Sequence, residues 1–138
     1  MVLDTSALLA ILQDEPERRR FNEAIEAAET RRISAANFVE TSIVLEARTG
    51  AEAVRNLDLL IAKASITLAP VDAEQAHLAR RAWRQYGKGH HPARLNFGDC
   101  FAYALAVSLD DSLLYKGTDF AHTDVVRHPA SSASARQQ

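Results

Sequence analysis

Residues 96–120 read NFGDCFAYALAVSLDDSLLYKGTDF. Asn96 is a helix-capping residue type, and the run after it is apolar on nearly every side through about Leu109. A helix without a polar face is a buried one. Leu113 to Lys116 then reads as a strand, Gly117 as a turn, and Asp119 follows directly. The first residues repeat this pattern in reverse order of elements. Met1 to Asp4 is a short strand that ends on an aspartate, and Thr5 to Leu12 is apolar and helical.

Working outward, Asp14-Glu15-Pro16 is a helix-start signal, with Phe21, Ile25 and Ala28 at helical spacing behind it. Arg32 to Ala35 is a candidate strand. Ala36 to Arg48 is a helix with apolar positions at 36, 39, 43, 44 and 47, closed by Gly50. A further helix covers about 51–64. SITLA at 65–69 is a β-rich run that stops at Pro70. Asp72 caps a helix with Ala76, Ala79 and Trp83 along one face. YGKGHHPARL at 86–95 is loop-like, and Val125-Val126 is a last short strand. Short strands alternating with helices predict a three-layer α/β/α domain whose central, short-stranded sheet is mainly parallel. One domain is expected over 1–128, with the small polar tail PASSASARQQ at 129–138 disordered.

Composition narrows the function classes. The hydrophobic fraction of 47% is that of a globular chain, rich in the helix formers Ala and Leu. A net charge of −2 does not advertise a nucleic-acid binder, so any basic surface must be local. A single cysteine, Cys100, excludes an internal disulfide and fits a reducing cytosol. No apolar run is long enough to span a membrane, and MVLDTS carries no export-signal pattern. The expected location is cytoplasmic.

In a parallel sheet the ligand site lies beyond the carboxyl ends of the strands. Four acids fall where that rule matters. Asp4 ends the first strand, and by itself it is equally well a helix cap. Asp99 lies in the first turn of the buried helix, where an acid also gains ~0.3–1 kcal/mol from the dipole. Asp119 follows a strand and a turn, a usual place for aspartate. Glu40 is the most telling, because at about 100° per residue it falls inside the apolar stripe of its helix. A buried carboxylate costs several kcal/mol unless it is paired with a cation such as arginine or coordinates a metal. Crowded carboxylates repel, and a hard divalent cation relieves the repulsion with oxygen ligands, which suits Mg²⁺ or Mn²⁺ better than zinc. The chemistry expected of such a site is attack of an activated water on a phosphodiester.

The chain resembles the PIN-domain ribonucleases, in particular the VapC-type toxins of bacterial toxin–antitoxin pairs. VLDTSAL at 2–8, SAANFVE at 34–40, LNFGDCFAYALA at 95–106 and LLYKGTDF at 113–120 carry the resemblance, which runs from residue 1 to about 126. It implies a Mg²⁺- or Mn²⁺-dependent endoribonuclease that inhibits growth, forms homodimers and is neutralised by a VapB-type antitoxin. It assigns the catalytic and metal-binding acids to Asp4, Glu40, Asp99 and Asp119. Supporting polar roles fall on Thr5, Ser6, Asn37 and Thr118.

Other groups have plainer roles beside sharper ones. Arg80, Arg81, Arg84, Lys88 and Arg94, with His90 and His91, form a basic stretch leading into the acidic helix. It is either an RNA-phosphate contact or a solvated face, and both stand open. Trp83 is read as core and Tyr86 as free to stack. Cys100, beside Asp99, is read as core and not as a nucleophile. Lys116 is read as a salt-bridge partner, and His122 with Asp124 as a weak metal pair at most. An aspartyl-phosphate enzyme is disfavoured because Ser6 stands where that chemistry places a second aspartate. The alternative kept is a non-catalytic RNA-binding or dimerisation module with the same fold.

Overall fold

The computed structural model describes residues 1–132. Its elements are β1 (Val2–Leu3), α1 (Thr5–Leu12), α2 (Arg18–Ala27), β2 (Arg32–Ser34), α3 (Ala35–Thr49), α4 (Ala51–Lys63), β3 (Thr67–Ala69), α5 (Ala73–Tyr86), α6 (Phe97–Ser108) and β4 (Leu113–Leu114), then a 3-10 turn at Asp119–His122. The sheet order is β3-β2-β1-β4, and each of its three pairings is parallel. All four carboxyl ends therefore share one edge.

Side chains alternate across a strand, so two-residue strands still serve two cores. Val2 and Leu113 face the α5–α6 side with Tyr86, Leu95, Leu105 and Tyr115. Leu3, Ile33 and Leu114 face the opposite side with Leu8, Phe21, Leu45 and Leu57. These are the three layers expected from the alternation of elements. No helix among the described residues is long and apolar enough to cross a membrane.

Several local expectations are corrected. Helix α2 starts at Arg18, not at the Asp14-Glu15-Pro16 signal, and Asp14 adopts a left-handed φ of 53°. That turn instead sends Glu15 and Glu17 inward to the ammonium of Lys116, at 3.0 and 3.1 Å. Helix α3 is rotated from the expected face. It buries Asn37, Thr41 and Leu45, and leaves Val39 51% and Ile43 62% exposed. Helix α5 buries Ala79, Ala82 and Tyr86, so Trp83 turns outward at 48% exposure and Tyr86 is the core residue. Val125-Val126 forms no strand. Single bridges at Leu113–Arg127 and Lys116–Ser132 extend the β4 side instead.

The start of the expected tail packs. Ser131 and Ser132 are buried, the Ser131 hydroxyl donates to Leu113 O, and the Ser132 hydroxyl donates to Glu17. The remainder of that expectation, 133–138, lies outside the described residues. Asp124 accepts from the Tyr103 hydroxyl at 2.5 Å, a structural role in place of a metal pair with His122.

Lys116 with Glu15 and Glu17 is the one ion cluster with all three side chains nearly buried among the described residues. Burial alone would raise the Glu17 pKa, but hydrogen bonding and attraction from Lys116 hold it below its ordinary 4.5. Burial would lower the Lys116 pKa, and the two glutamates raise it past 10.5. The depressed acid contributes stability that is full above pH ~4.5 and is lost as pH falls through its folded value. Lys116→Met leaves buried carboxylates uncompensated and is expected to cost about 3–5 kcal/mol at neutral pH. Urea unfolding at pH 7 and pH 5 checks this. The variant's deficit should shrink at the lower pH, because burial without Lys116 favours the protonated form of Glu17. A deficit under about 1 kcal/mol, or one independent of pH, would show that the cluster is a screened surface pair.

Candidate active site

Asp4 leaves β1 at its carboxyl end. Its amide donates to Leu114 O at 3.0 Å, which ties it to β4. Its carboxylate caps α1, accepting from the Ser6 amide at 3.1 Å and the Ser6 hydroxyl at 2.6 Å. The Ser6 oxygen in turn accepts from the Lys116 amide at 2.9 Å. Asp4 is fully buried. It is thus a cap, as its plainer role foresaw, but a cap at the sheet edge where a site belongs.

The second strand delivers α3 to the same edge. Ser34 caps it, accepting from the Ala36 amide at 3.3 Å. One turn in, Asn37 is fully buried, and its side-chain amide donates to Gly98 O at 2.9 Å and to Glu40 Oε1 at 3.3 Å. The Thr5 hydroxyl also donates to Glu40 Oε1, at 2.5 Å. Glu40 is half-buried in the second turn of α3. It reaches this place because α3 is rotated so that its polar residues face α1 and α6, not because Glu40 lies in a buried apolar stripe.

Gly98 is what makes room for Glu40. A Cβ built on Gly98 would lie 2.1 Å from one Glu40 carboxylate oxygen and 2.4 Å from the other. Reading the sequence alone passed over this residue. The available signal was a glycine in the first turn of a strong helix, which costs about 1 kcal/mol relative to alanine and asks for a packing reason.

The next residue, Asp99, is 1% exposed and completes a capping box. Its amide donates to Asn96 Oδ1 at 2.9 Å, and its carboxylate accepts from the Asn96 amide at 3.1 Å. Asp119 opens the 3-10 turn beyond β4 and is half-buried. Thr118, before it, is exposed and makes no side-chain cap.

The structure therefore joins Thr5, Asn37, Glu40 and Gly98 by direct contact. Asp4 and Asp99 are the chain neighbours of Thr5 and Gly98, and Asp119 follows β4 in the chain by five residues. Among the described residues no three His, Cys, Asp or Glu side chains form a ready-made metal group. Glu40 is engaged by Thr5 and Asn37, Asp4 by Ser6, and Asp99 by Asn96. The donor chemistry nonetheless suits a hard cation, because every candidate ligand is an oxygen. Asn37 Oδ1 is a further oxygen here, buried and without a hydrogen-bond partner.

Cys100, beside Asp99, is buried, and burial together with the Asp99 charge pushes its thiol up to about 12. It is core, not a nucleophile. The basic residues Arg80, Arg81, Arg84, Lys88 and Arg94 are all exposed. The loop that carries the last two is closed by Lys88 N to Leu95 O and Leu95 N to Tyr86 O, both 2.9 Å.

The family model of the PIN domain matches residues 1–126. The chain is 52% identical over 125 residues to Ribonuclease VapC30 of Mycobacterium tuberculosis, covering 91% of this chain and 95% of the relative. It is 51% identical to Ribonuclease VapC of Mycolicibacterium smegmatis, over 91% and 97%. Among solved structures, M. tuberculosis VapC20, described as a sarcin-ricin loop cleaving toxin, superimposes with a TM-score of 0.73 at 18% identity, over 92% of this chain and 97% of that one. VapBC2 from Rickettsia felis, bound to a DNA fragment from its promoter, gives 0.68 at 14% identity, over 92% and 96%. At such identities the superpositions speak for the fold.

Gly98→Ala tests the cradle. The helix gains a better former, and only the far end of a flexible side chain must move. The melting temperature is expected to hold or rise while Mn²⁺ affinity, followed by calorimetric titration, falls at least severalfold. Unchanged Mn²⁺ affinity would mean that the seat of Glu40 on Gly98 is incidental to the site.

Proposed function

This chain belongs to the PIN domain family, and on that premise we propose that it is a divalent-metal-dependent endoribonuclease, the toxin of a VapBC-type toxin–antitoxin pair. The observation that supports the reading is the contact of Glu40 with Asn37, Gly98 and Thr5, the last two being chain neighbours of Asp99 and Asp4. We place the nuclease unit in residues 1–128. In this reading Asp4, Glu40, Asp99 and Asp119 would hold Mg²⁺ or Mn²⁺. When bound, such an ion lowers the pKa of water and offsets charge developing on a phosphodiester.

The chain's own residues do the positioning. Ser6 holds one oxygen of Asp4 and is itself fixed by the Lys116 amide. Thr5 and Asn37 both donate to Glu40 Oε1, which leaves Oε2 on the Gly98 side. Fixed acceptors need no reorganisation when charge develops, and preorganisation of this kind is a large part of catalysis. The exposed basic residues Arg80, Arg81, Arg84, Lys88 and Arg94 are assigned to RNA phosphates, and the solvated-face role remains the alternative that mutation decides. The exposed apolar residues Val39 and Ile43, on the helix that carries Glu40, offer a surface for an antitoxin segment or a second copy. The named relatives and neighbours include VapC ribonucleases and a VapBC complex, and a cytoplasmic location accords with that role.

The purified protein is expected to cleave RNA with Mg²⁺ present, to stop on adding EDTA, and to lose all but a trace of activity as Asp4→Asn or Asp99→Asn. Mapping the 5′ ends of cleaved RNA against the Asp99→Asn control measures this. RNA binding at saturating Mg²⁺ with no new ends would reduce the protein to a binding module.

A further inference from the structure

A groove of about 400 Å³ lies between α5 and α6, lined by Ala76, Ala79, Arg80 and Trp83 from one helix and Phe97, Cys100 and Phe101 from the other. Its floor is made of small buried residues, Ala79 and Cys100. Its walls are aromatic and unusually open for such side chains. Trp83 is 48% exposed and Phe97 is 78% exposed. Both are braced from behind. The His90 ring meets Trp83 edge-on at 4.7 Å while its Nε2 lies 2.7 Å from the Trp83 carbonyl oxygen, and Phe101 meets Phe97 at 4.9 Å. Braced, exposed aromatic faces over a shallow floor suit a flat ring that slides against them.

The groove and the candidate active site share the first turns of α6. Phe97 is the residue before Gly98, on which Glu40 rests, and two before Asp99. Charge distinguishes the occupant. Arg80 is on the rim, Arg81 and Arg84 share its helix, and Lys88 follows, all exposed. From Arg80 to Leu95 the chain contains no carboxylate. An uncharged apolar partner would gain nothing from that belt, whereas a polyanion carrying planar rings uses both features. Stacking on aromatic faces with cations along the backbone is how unpaired nucleic acid is held.

We propose that Trp83, Phe97 and Arg80 form a base-stacking subsite that holds one unpaired nucleobase of the RNA substrate against the helix that carries Asp99. The proposal rests on the ribonuclease reading above and adds to it that the nucleotide held in this groove is unpaired. Base pairing would hide the ring face from the groove.

Trp83 is the sole tryptophan of the chain, so the subsite carries its own reporter. The test uses the full-length Asp99→Asn protein in EDTA, titrated with an oligoadenylate of about ten nucleotides, long enough to fill a typical single-strand site. Saturable quenching of Trp83 fluorescence is expected, with affinity about tenfold weaker in a Phe97→Ala, Asp99→Asn double variant. Phe97 is mostly exposed, so this variant should keep its fold, which its melting curve verifies. An abasic ribose-phosphate chain of the same length should bind through charge and leave the fluorescence unchanged. Equal quenching by the abasic chain, or unchanged affinity in the double variant, would overturn the proposal. So would an emission change on diluting the protein alone, which would assign the groove to a second copy. Cleavage by the wild type reports separately. Quenching without any cleavage would remove the ribonuclease reading and leave the base site, whereas cleavage with an unchanged KM in Phe97→Ala would remove the base site and leave the ribonuclease.

Discussion

Glu40 can reach the sheet edge only because Gly98 has no side chain. A carboxylate placed against the first turn of α6 fixes the approach of α3 to α6, and Asn37 locks the approach by donating to the Gly98 carbonyl. Thr5 then connects the pair to α1 and, through its neighbour Asp4, to the carboxyl ends of β1 and β4. Three elements distant in sequence are thus registered by one polar contact set. Apolar burial on the two faces of a four-stranded sheet supplies the stability, and the polar set decides how the layers are placed over the edge. Through it Glu40 meets Thr5 and Gly98, the chain neighbours of Asp4 and Asp99.

The broad architecture was legible because it rests on patterns of period and punctuation. The parallel α/β order, the buried helix after Asn96 and the position of Asp4 at a strand end all follow from local residue types. The rotation of α3 was not legible. A wheel sees Val39, Ile43 and Ala47 as a face to bury, whereas the helix is held through Asn37, whose side chain donates to Gly98 O of α6 and whose carbonyl accepts from Thr5 of α1. Burial therefore does not mark Glu40, and the family resemblance alone singles it out. Trp83 failed for a related reason. Ala79, Ala82 and Tyr86 fill the side of α5 that packs on α6, and the largest apolar side chain is left at the rim of that contact. The inward turn of Glu15 and Glu17 depends on Lys116, about a hundred residues away, and no local signal carries it. The packed serines at 131 and 132 depend likewise on exposed edge groups of Tyr115 and Gly117.

Acidic and basic features divide the surface in a way that fits phosphodiester chemistry. The carboxylates at the sheet edge repel a polyanion until their charge is compensated, so affinity must come from beside them. In the proposed reading the exposed arginines of α5 and the loop to Leu95, with no carboxylate among them, would supply it. The PIN family and its VapC ribonuclease members give the activity, and the particular contacts of Thr5, Ser6 and Asn37 explain how this chain presents its acids for it.

The central claim is that Asp4, Glu40, Asp99 and Asp119 jointly bind a catalytic divalent cation. A crystal structure determined in millimolar Mn²⁺ with anomalous scattering data tests it most directly. The account predicts an anomalous peak at the carboxyl edge of the sheet, with at least two of the four carboxylates as direct ligands. No peak there, or Mn²⁺ bound only at surface carboxylates elsewhere, would contradict it.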